Sequence, residues 1–539
     1  MQTESGYIPK NLEFDDNGRQ KLINGITAIS KAVKSTLGPR GRTVLIESPS
    51  HTNGITVTKD GVTVARSVAL LDPAENLAIQ MMQEAANRTA TSAGDGTTTA
   101  IVLTEALVLA GQKYITKDTN VTEVIKHMND LTDKLIVVLK KNSKKVTPSR
   151  LKDVAAISAN NDKNLGGIIA EAYRQVGTDG IVTVEKSMNA ETYSEVTNGI
   201  KVDRGYTSPL FINNQKKDEC ILEDVKILCC DQEISNILQI ENILKPIIQK
   251  GEKLLIIGEC NSNVVNTLAA NVVRNGLKFC NITPPSFGYK THELMQDIAL
   301  SVGAKYFSEK TGDDLSLVTA EDLGHADKII IGKESSVLIK NTELSEEIGE
   351  RIKQLRVQQE NTKHLGERKF INERIASLAG SIGAIYVGGN SDVEQKEKFD
   401  RVDDSVCAVR SALQEGIVAG GGIALYRLAL KFKWMVENAG LEHNSRVALE
   451  IMLEALESPL KQILTNAGIN HAEILDTLHD RKQNDGYDVK NEVYGDMYKM
   501  GVIDPLKVTK NALINAVSVA TTILSTNAII THKRLNEEA

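Results

Sequence analysis

The stretch SAGDGTTT, residues 92–99, running straight into the apolar AIVLTEALVLA of residues 100–110, is the most informative part of this chain. Two Gly flank an Asp, and Thr97, Thr98 and Thr99 open a helix. A helix N-terminus offers free N–H groups and a positive dipole end to phosphate oxygens. Gly94 and Gly96 let the backbone come close, and the Thr hydroxyls add donors. Asp95 would repel phosphate directly, so its useful role is to hold Mg2+, a hard cation that keeps few protein ligands. Taken alone, the stretch also reads as an N-capping turn.

Helical spacing surrounds it. Residues 17–37 place Leu22, Ile23, Ile26, Ile29, Val33 and Leu37 on one face, with Asp15 or Asp16 as N-cap and Gly38-Pro39 as the stop. Helices are predicted over 74–91, 97–115 and 121–141. Before them TVLIE, ITVT and VTVA read as short strands, with Lys59-Asp60-Gly61 as a hairpin turn. The middle of the chain alternates differently. VKILCC (225–230), a helix near 234–250, KLLIIG (253–258), a helix near 262–275 and LKFCNI (277–282) form a β-α-β-α-β run, the pattern of a parallel or mixed sheet with helical cover. No GxGxxG follows these strands and no GxxxxGK[ST] occurs anywhere, so this unit is predicted to bind something without a phosphate site of its own. Residues 340–378 predict a solvent-facing antiparallel helix pair, 384–389 a strand, 418–430 a Gly-rich turn into a helix, and 505–526 a last helix.

The chain of 539 residues is long enough for several domains. Its 63 Lys+Arg against 70 Asp+Glu leave a net charge of −7, which argues against nucleic-acid partners. Aromatics make up 4%, with Trp434 the single Trp, so base- or sugar-stacking platforms are not expected. The 6 Cys form no CxxC pair and no metal spacing with His, which predicts buried, reduced thiols. No apolar run approaches a membrane span, and MQTESGYIPKNLEFDD lacks the features of a signal peptide. A cytoplasmic protein with no membrane partner is the expectation.

Three further stretches could carry chemistry. TLGPRGR (36–42) is a helix end and Pro turn whose backbone could cradle a nucleotide, or a plain turn. TKDG (58–61) offers Lys59 to phosphate and Asp60 to water or metal, or is a solvated hairpin. DRVDD (400–404) could orient an attacking water, and Gly420-Gly421-Gly422 could admit a ribose or base; the bland alternative is a charged helix surface.

Each signal is weak singly, but their order is informative. TLGPRGR, TKDGVTVAR, GDGTTTA, RVDD, EGIVAGGGIAL and VIDP, in sequence, resemble the chaperonin family. ISANND (157–162), DGIVTVE (179–185), DRGYTSPLFIN (203–213) and MQDIA (295–299) resemble its group I, GroEL-type branch. The resemblance runs from about residue 8 to 532. It implies a multidomain α and α/β chaperonin fold: a mostly helical equatorial ATPase domain (1–141 and 415–539), a small intermediate hinge domain (142–198 and 384–414) and an α/β apical domain (199–383). It implies ATP-driven folding of non-native polypeptides in a homo-oligomeric ring, seven-membered and single or double, with a lid-like co-chaperonin as a further candidate partner.

By the same resemblance, Thr36, Leu37, Gly38 and Pro39 would contact the nucleotide, and backbone carbonyls of Thr36 and Lys59 would hold K+. Lys59 would approach the phosphates and Asp60 the attacking water. Asp95 would hold Mg2+, with Gly96, Thr97, Thr98 and Thr99 on phosphate oxygens. Asp404 would orient the hydrolytic water, Gly421 and Gly422 would lie along the nucleotide, and Asp504 would bond the ribose. Tyr206, Leu210, Phe211, Leu244 and Val265 fall on the family's apolar substrate face.

The chain also departs from the family. Glu241 stands at a groove position that is usually apolar, and Ala269 and Ala270 replace larger residues, which implies a smaller greasy surface. Gly380-Ser381 stands where a Gly pair is usual, while Gly199 matches. In 458–473, the ring-to-ring region by resemblance, Lys461 is basic but Asn470 replaces an acidic residue and Glu473 an apolar one, which implies weakened double rings. The chain ends HKRLNEEA, without the family's Gly/Met-rich tail. A scaffold on the same fold with hydrolysis lost is disfavoured by intact Asp60, Asp95 and Asp404. A metabolic enzyme is disfavoured because 200–380 holds no cluster of His, Asp or Cys at catalytic spacing.

Overall fold

The computed structural model describes residues 10–47, 54–177, 181–187, 189–215, 217–286, 288–340, 346–362, 364–378, 380–438 and 440–532. The altered chain terminus after His532 lies outside the described residues. The chain forms two compact units. One comprises Met1–Glu171, Val184–Tyr193 and Tyr386–Ala539; the other comprises Ala172–Thr183 and Ser194–Ile385.

The first unit is mainly helical. Helices Asp15–Lys34, Pro73–Ala93, Thr97–Tyr114, Val121–Asn142, His443–Asn466 and Leu506–Ser525 pack around one core that includes Ile26, Ile29, Met82, Leu103, Met128 and Leu135. The Thr97–Tyr114 helix is buried on nearly every side, from Ala100 through Gly111. That is what an all-round apolar sequence requires, since no face of it would be stable in water. Its one buried acid, Glu105, takes Lys34 Nζ at 2.9 Å on both oxygens, a buried charge matched by a partner. Helices over 74–91, 97–115, 121–141 and 505–526 are therefore correctly read from spacing.

Two local readings are corrected. The first helix has Phe14 at its N-cap, not Asp15 or Asp16, and no side-chain cap bond. Its entry is set by a strand pair, Lys10–Phe14 with Ala528–His532, that joins the two ends of the described chain. The second correction concerns VTVA. Val44–Glu47 and Ile55–Thr58 do pair as a hairpin, but Gly61–Ser67 is a helix with Asp60 as its N-cap. The Asp60 carboxylate accepts from the Val62 and Thr63 N–H groups at 3.2 Å and from Thr63 Oγ1 at 2.6 Å. Capping, together with burial of Val62, Val64 and Ala65, outweighs the β preference of the Val and Thr side chains.

The second unit is built on a nine-stranded sheet. Cys220–Cys230, Lys253–Ile257 and Phe279–Ile282 run parallel, as the β-α-β-α-β pattern predicts. Gly324–Ile331 joins Cys220–Cys230 antiparallel, then Ser336–Lys340 and Tyr193–Val202 follow antiparallel. Ile227–Cys230, Leu254–Ile257 and Phe279–Ile282 are buried along their whole length, with Asn281 the one polar residue among them, as strands covered on both faces require. Cys220, Cys229, Cys230 and Cys280 lie in this core, no disulfide joins the described cysteines, and burial pushes the Cys229 thiol up to about 12.

The helix pair Glu346–Asn361 and Leu365–Leu378 exists, but it is not simply solvent-facing. Ile348, Leu355, Ile371 and Leu378 are buried between the helices. Arg374, 2% exposed, grips Asp297 of the Tyr289–Val302 helix through Nε at 2.6 Å and a second nitrogen at 3.0 Å. A buried bidentate pair of this kind costs about 3–5 kcal/mol to break on one side. Among the described residues no helix is long and apolar enough to cross a membrane.

Candidate functional site

Three turns of the first unit meet around one cavity of about 250 Å³. The first holds Asp95. The Pro73–Ala93 helix ends on Gly94 at φ 73°, and Thr97–Tyr114 starts from Gly96 at φ 84°, both in the left-handed region that only Gly enters cheaply. Asp95 is thereby fixed between two helix ends. Its Oδ1 accepts from the Gly96 N–H at 2.5 Å and its Oδ2 from Ser158 Oγ at 2.7 Å.

The second turn is Gly420–Gly422. Ile417–Ala419 pairs antiparallel with Ile503–Pro505, Val418 opposite Asp504, which lays the glycines beside the Asp504 carboxylate. A Cβ on Gly420 would lie 2.9 Å from Asp504 Oδ1, and one on Gly422 would lie 2.7 Å from the Leu460 backbone nitrogen. The third turn follows the first helix, where Leu37, Gly38 and Pro39 enter the wall.

The cavity thus brings together Leu37, Gly38, Pro39, Asp95, Gly96, Thr99, Gly421, Gly422 and Asp504, which the sequence scatters over more than four hundred positions. No described Lys, Arg or His lines it. Two of its carboxylates, those of Asp95 and Asp504, resist ionisation. Burial, then the charge of Asp95, raises Asp504 to about 7, against a bond from Gly421 that lowers it. Burial also raises Asp95, with a smaller contribution from the charge of Asp60, against bonds from Ser158 and Gly96. Acidic groups without a cationic side chain suit a hard divalent cation. An anionic ligand would need such a cation beside it.

Thr36, Lys59, Asp60, Thr97, Thr98 and Asp404 do not line the cavity. Some lie close by. A Cβ on Gly61 would collide with Thr98 Oγ1 and lie 2.9 Å from Thr97 Oγ1, so the Asp60 cap abuts the Thr run. Asp404 sits on the Asp392–Glu415 helix, one turn before Ala408, which does line the cavity. The same helix packs on the Asp95 turn: Ser411 Oγ donates to the Ala93 carbonyl at 3.0 Å.

Several wall residues carried no assigned role in the sequence reading. Ser158 holds Asp95, and Asn160 and Asn161 take φ 57° and 62° in the wall. The Asn-Asn pair is a legible signal, since Asn tolerates left-handed backbone better than most residues. Tyr487 and Asp488 come from the Asp485–Asp488 strand, and nothing in their local sequence marks them.

In the second unit the expected apolar face is only partly a face. Leu210 is 53% exposed, and Tyr206 and Val265 are half-buried. Phe211 and Leu244 are core residues at 2% and 6%, which corrects their placement at the surface. Phe211 ends the short Pro209–Phe211 turn, which packs against the Ser262–Asn275 helix and points its ring inward. Leu244 lies on the inner side of the Glu241–Lys250 helix with Ile243 and Ile247. Ala269 is buried as well, so its small size does not trim the surface. Leu238 and Leu317, at 63% and 73%, are exposed apolar residues that the sequence reading did not single out.

The chain matches the family model "TCP-1/cpn60 chaperonin family" over residues 29–534. Among solved structures it is similar to the chaperonin gp146 from the bacteriophage EL 2 (Pseudomonas aeruginosa), determined in presence of ATP-BeFx. In crystal form II the TM-score is 0.67 at 23% identity, covering 97% of this chain and 99% of that one. In crystal form I the TM-score is 0.62 at 24% identity with the same coverage. At such identity the likeness is one of fold, and it agrees with a helical unit paired with an α/β unit. With the family model spanning nearly all of its length, the chain belongs to the TCP-1/cpn60 chaperonin family.

Proposed function

We propose that this chain is a group I, GroEL-type chaperonin that hydrolyses ATP to fold non-native polypeptides inside a homo-oligomeric ring. The observation that carries the reading is the convergence of the Leu37–Pro39, Asp95–Gly96, Gly421–Gly422 and Asp504 turns on one cavity. In this reading residues 1–141 and 415–539 are equatorial, 142–198 and 384–414 intermediate, and 199–383 apical.

ATP is the substrate of the cavity. Leu37, Gly38 and Pro39 approach it through backbone, Gly421 and Gly422 let it lie close, and Asp504 bonds the ribose. Thr97, Thr98 and Thr99 receive phosphate oxygens at a helix N-terminus. Mg2+ supplies neutralisation of the phosphate charge, and Asp95 is its protein carboxylate. Lys59 approaches the phosphates from the turn that Asp60 caps, and the Thr36 and Lys59 carbonyls hold K+. Asp404 orients the attacking water together with Asp60, so turnover depends on how the Asp392–Glu415 helix stands over the site. Apolar segments of unfolded chains are taken by exposed side chains such as Leu210.

The test is Mg-ATP turnover by the wild type and by Asp404→Ala. Turnover by the wild type, and retained binding with lost turnover in the variant, supports the assignment; equal turnover in both removes it. Refolding of a denatured protein with and without a lid-like co-chaperonin tests the folding activity. Electron microscopy with and without ATP tests the ring: the changes at Asn470 and Glu473 predict populated single rings, and double rings throughout would exclude that.

A further inference from the structure

The backbone between the first helix and the Val44–Glu47 strand enters the cavity at Leu37–Pro39, and it must be held there. Within the loop, the Leu37 N–H donates to the Lys34 carbonyl at 3.2 Å, Gly41 to Gly38 at 3.0 Å and Arg42 to Ser35 at 2.8 Å. The last carbonyls of a helix otherwise lack partners. Here a distant residue adds a donor to two carbonyls of this turn, one of which already accepts from Leu37. Asn466 Nδ2 donates to the Lys34 carbonyl at 2.8 Å and to the Leu37 carbonyl at 2.8 Å.

Asn466 is the last residue of the His443–Asn466 helix. Its Oδ1 accepts from Gln462 Nε2, one turn back, at 2.7 Å. With two N–H groups aimed at two carbonyls and the oxygen held by a donor, only one orientation of the amide satisfies all three bonds. The same turn presents Ile463 to the cavity, and a Cβ on Gly38 would lie 3.1 Å from Ile463 Cγ2. One helix end therefore both packs on the loop and clamps its backbone.

We infer that Asn466 is a positioning residue for nucleotide binding: its amide sets where Leu37–Pro39 stand across the cavity from Asp95 and Thr99. The inference rests on the nucleotide reading above. Asn466 stands behind the cavity wall rather than in it, so its loss acts on affinity and leaves the hydrolytic groups in place.

Asn466→Asp keeps the shape and turns the donor into a carboxylate facing two carbonyl oxygens. Measured on the full-length chain, it should weaken Mg-ATP binding about tenfold or more and raise KM in step, with kcat changed less than about twofold. Asn466→Ala should weaken binding in the same sense. Thr465→Ala alters the same turn, where its hydroxyl bonds only the Lys461 carbonyl, and should bind Mg-ATP like the wild type. Folded Asn466 variants that bind within about twofold of the wild type, or that lose kcat rather than affinity, overturn the inference. If Asn466→Asp does not fold, Asn466→Ala and Gln462→Ala decide on the same criterion. A wild type that binds no Mg-ATP overturns the nucleotide reading and the inference with it.

Discussion

In the first unit, short Gly- and Asp-bearing turns that are far apart in sequence close on one cavity. In the second, five residues expected on one apolar face divide: Leu210 stands in solvent, Tyr206 and Val265 are half-buried, and Phe211 and Leu244 are in the core. The difference lies in what each residue type can do. A Gly at φ 84° or an Asp between two helix ends has few structural uses, so its presence is specific. A Leu or Phe serves a core as well as a surface, and only packing decides which.

Phe211→Ala attacks that division most strongly. As a core deletion it should cost about 3–5 kcal/mol of stability, read as a lowered denaturant midpoint. A loss below about 1 kcal/mol would return Phe211 to the surface. Next comes the helix beside the cavity: Asp404→Ala should lower ATP turnover about a hundredfold or more while Mg-ATP still binds. Gly422→Ala should destabilise by about 1–3 kcal/mol and weaken nucleotide binding, because φ 78° and the Leu460 backbone both exclude a Cβ.

A pH titration sharpens the electrostatic side. Burial raises Asp504 from 3.8 to about 7 in the folded chain. The folded state then holds a proton that the unfolded state has released, so stability falls as pH rises from about 4 to about 7 and is level beyond. Asn in place of Asp504 should flatten that slope, and an unchanged slope would move the raised carboxyl elsewhere. Smallest of all, Leu210→Ser should leave stability within about 0.5 kcal/mol while reducing capture of an unfolded polypeptide. Equal capture would take Leu210 out of the binding face.

The long helices and the parallel strands were legible because their apolar periodicity is itself the packing pattern. The mostly apolar 97–115 segment reads as a buried helix, and VKILCC and KLLIIG, alternating with helical stretches, read as covered strands. The cavity was legible in part. Asp95, Gly96, Thr99, Gly421 and Asp504 stand in motifs, whereas Ser158, Tyr487 and Asp488 reach the site from ordinary segments. VTVA misled because its β-branched residues favour a strand locally, and the Asp60 cap with burial of Val62 and Val64 overrode them. The 340–378 pair misled because Arg374 reads as a solvent residue until Asp297 is brought to it.

The ordered motifs of the chain carried the family, and local conformational limits and apolar spacing carried its helical and α/β division and the turn chemistry of the Gly94–Thr99 stretch. The tertiary structure alone decided which apolar side chains face water, that Asp95 and Asp504 share one enclosed space, and that Asn466 clamps the Leu37 backbone. Those facts depend on contacts between residues hundreds of positions apart, and no local preference encodes such a distance.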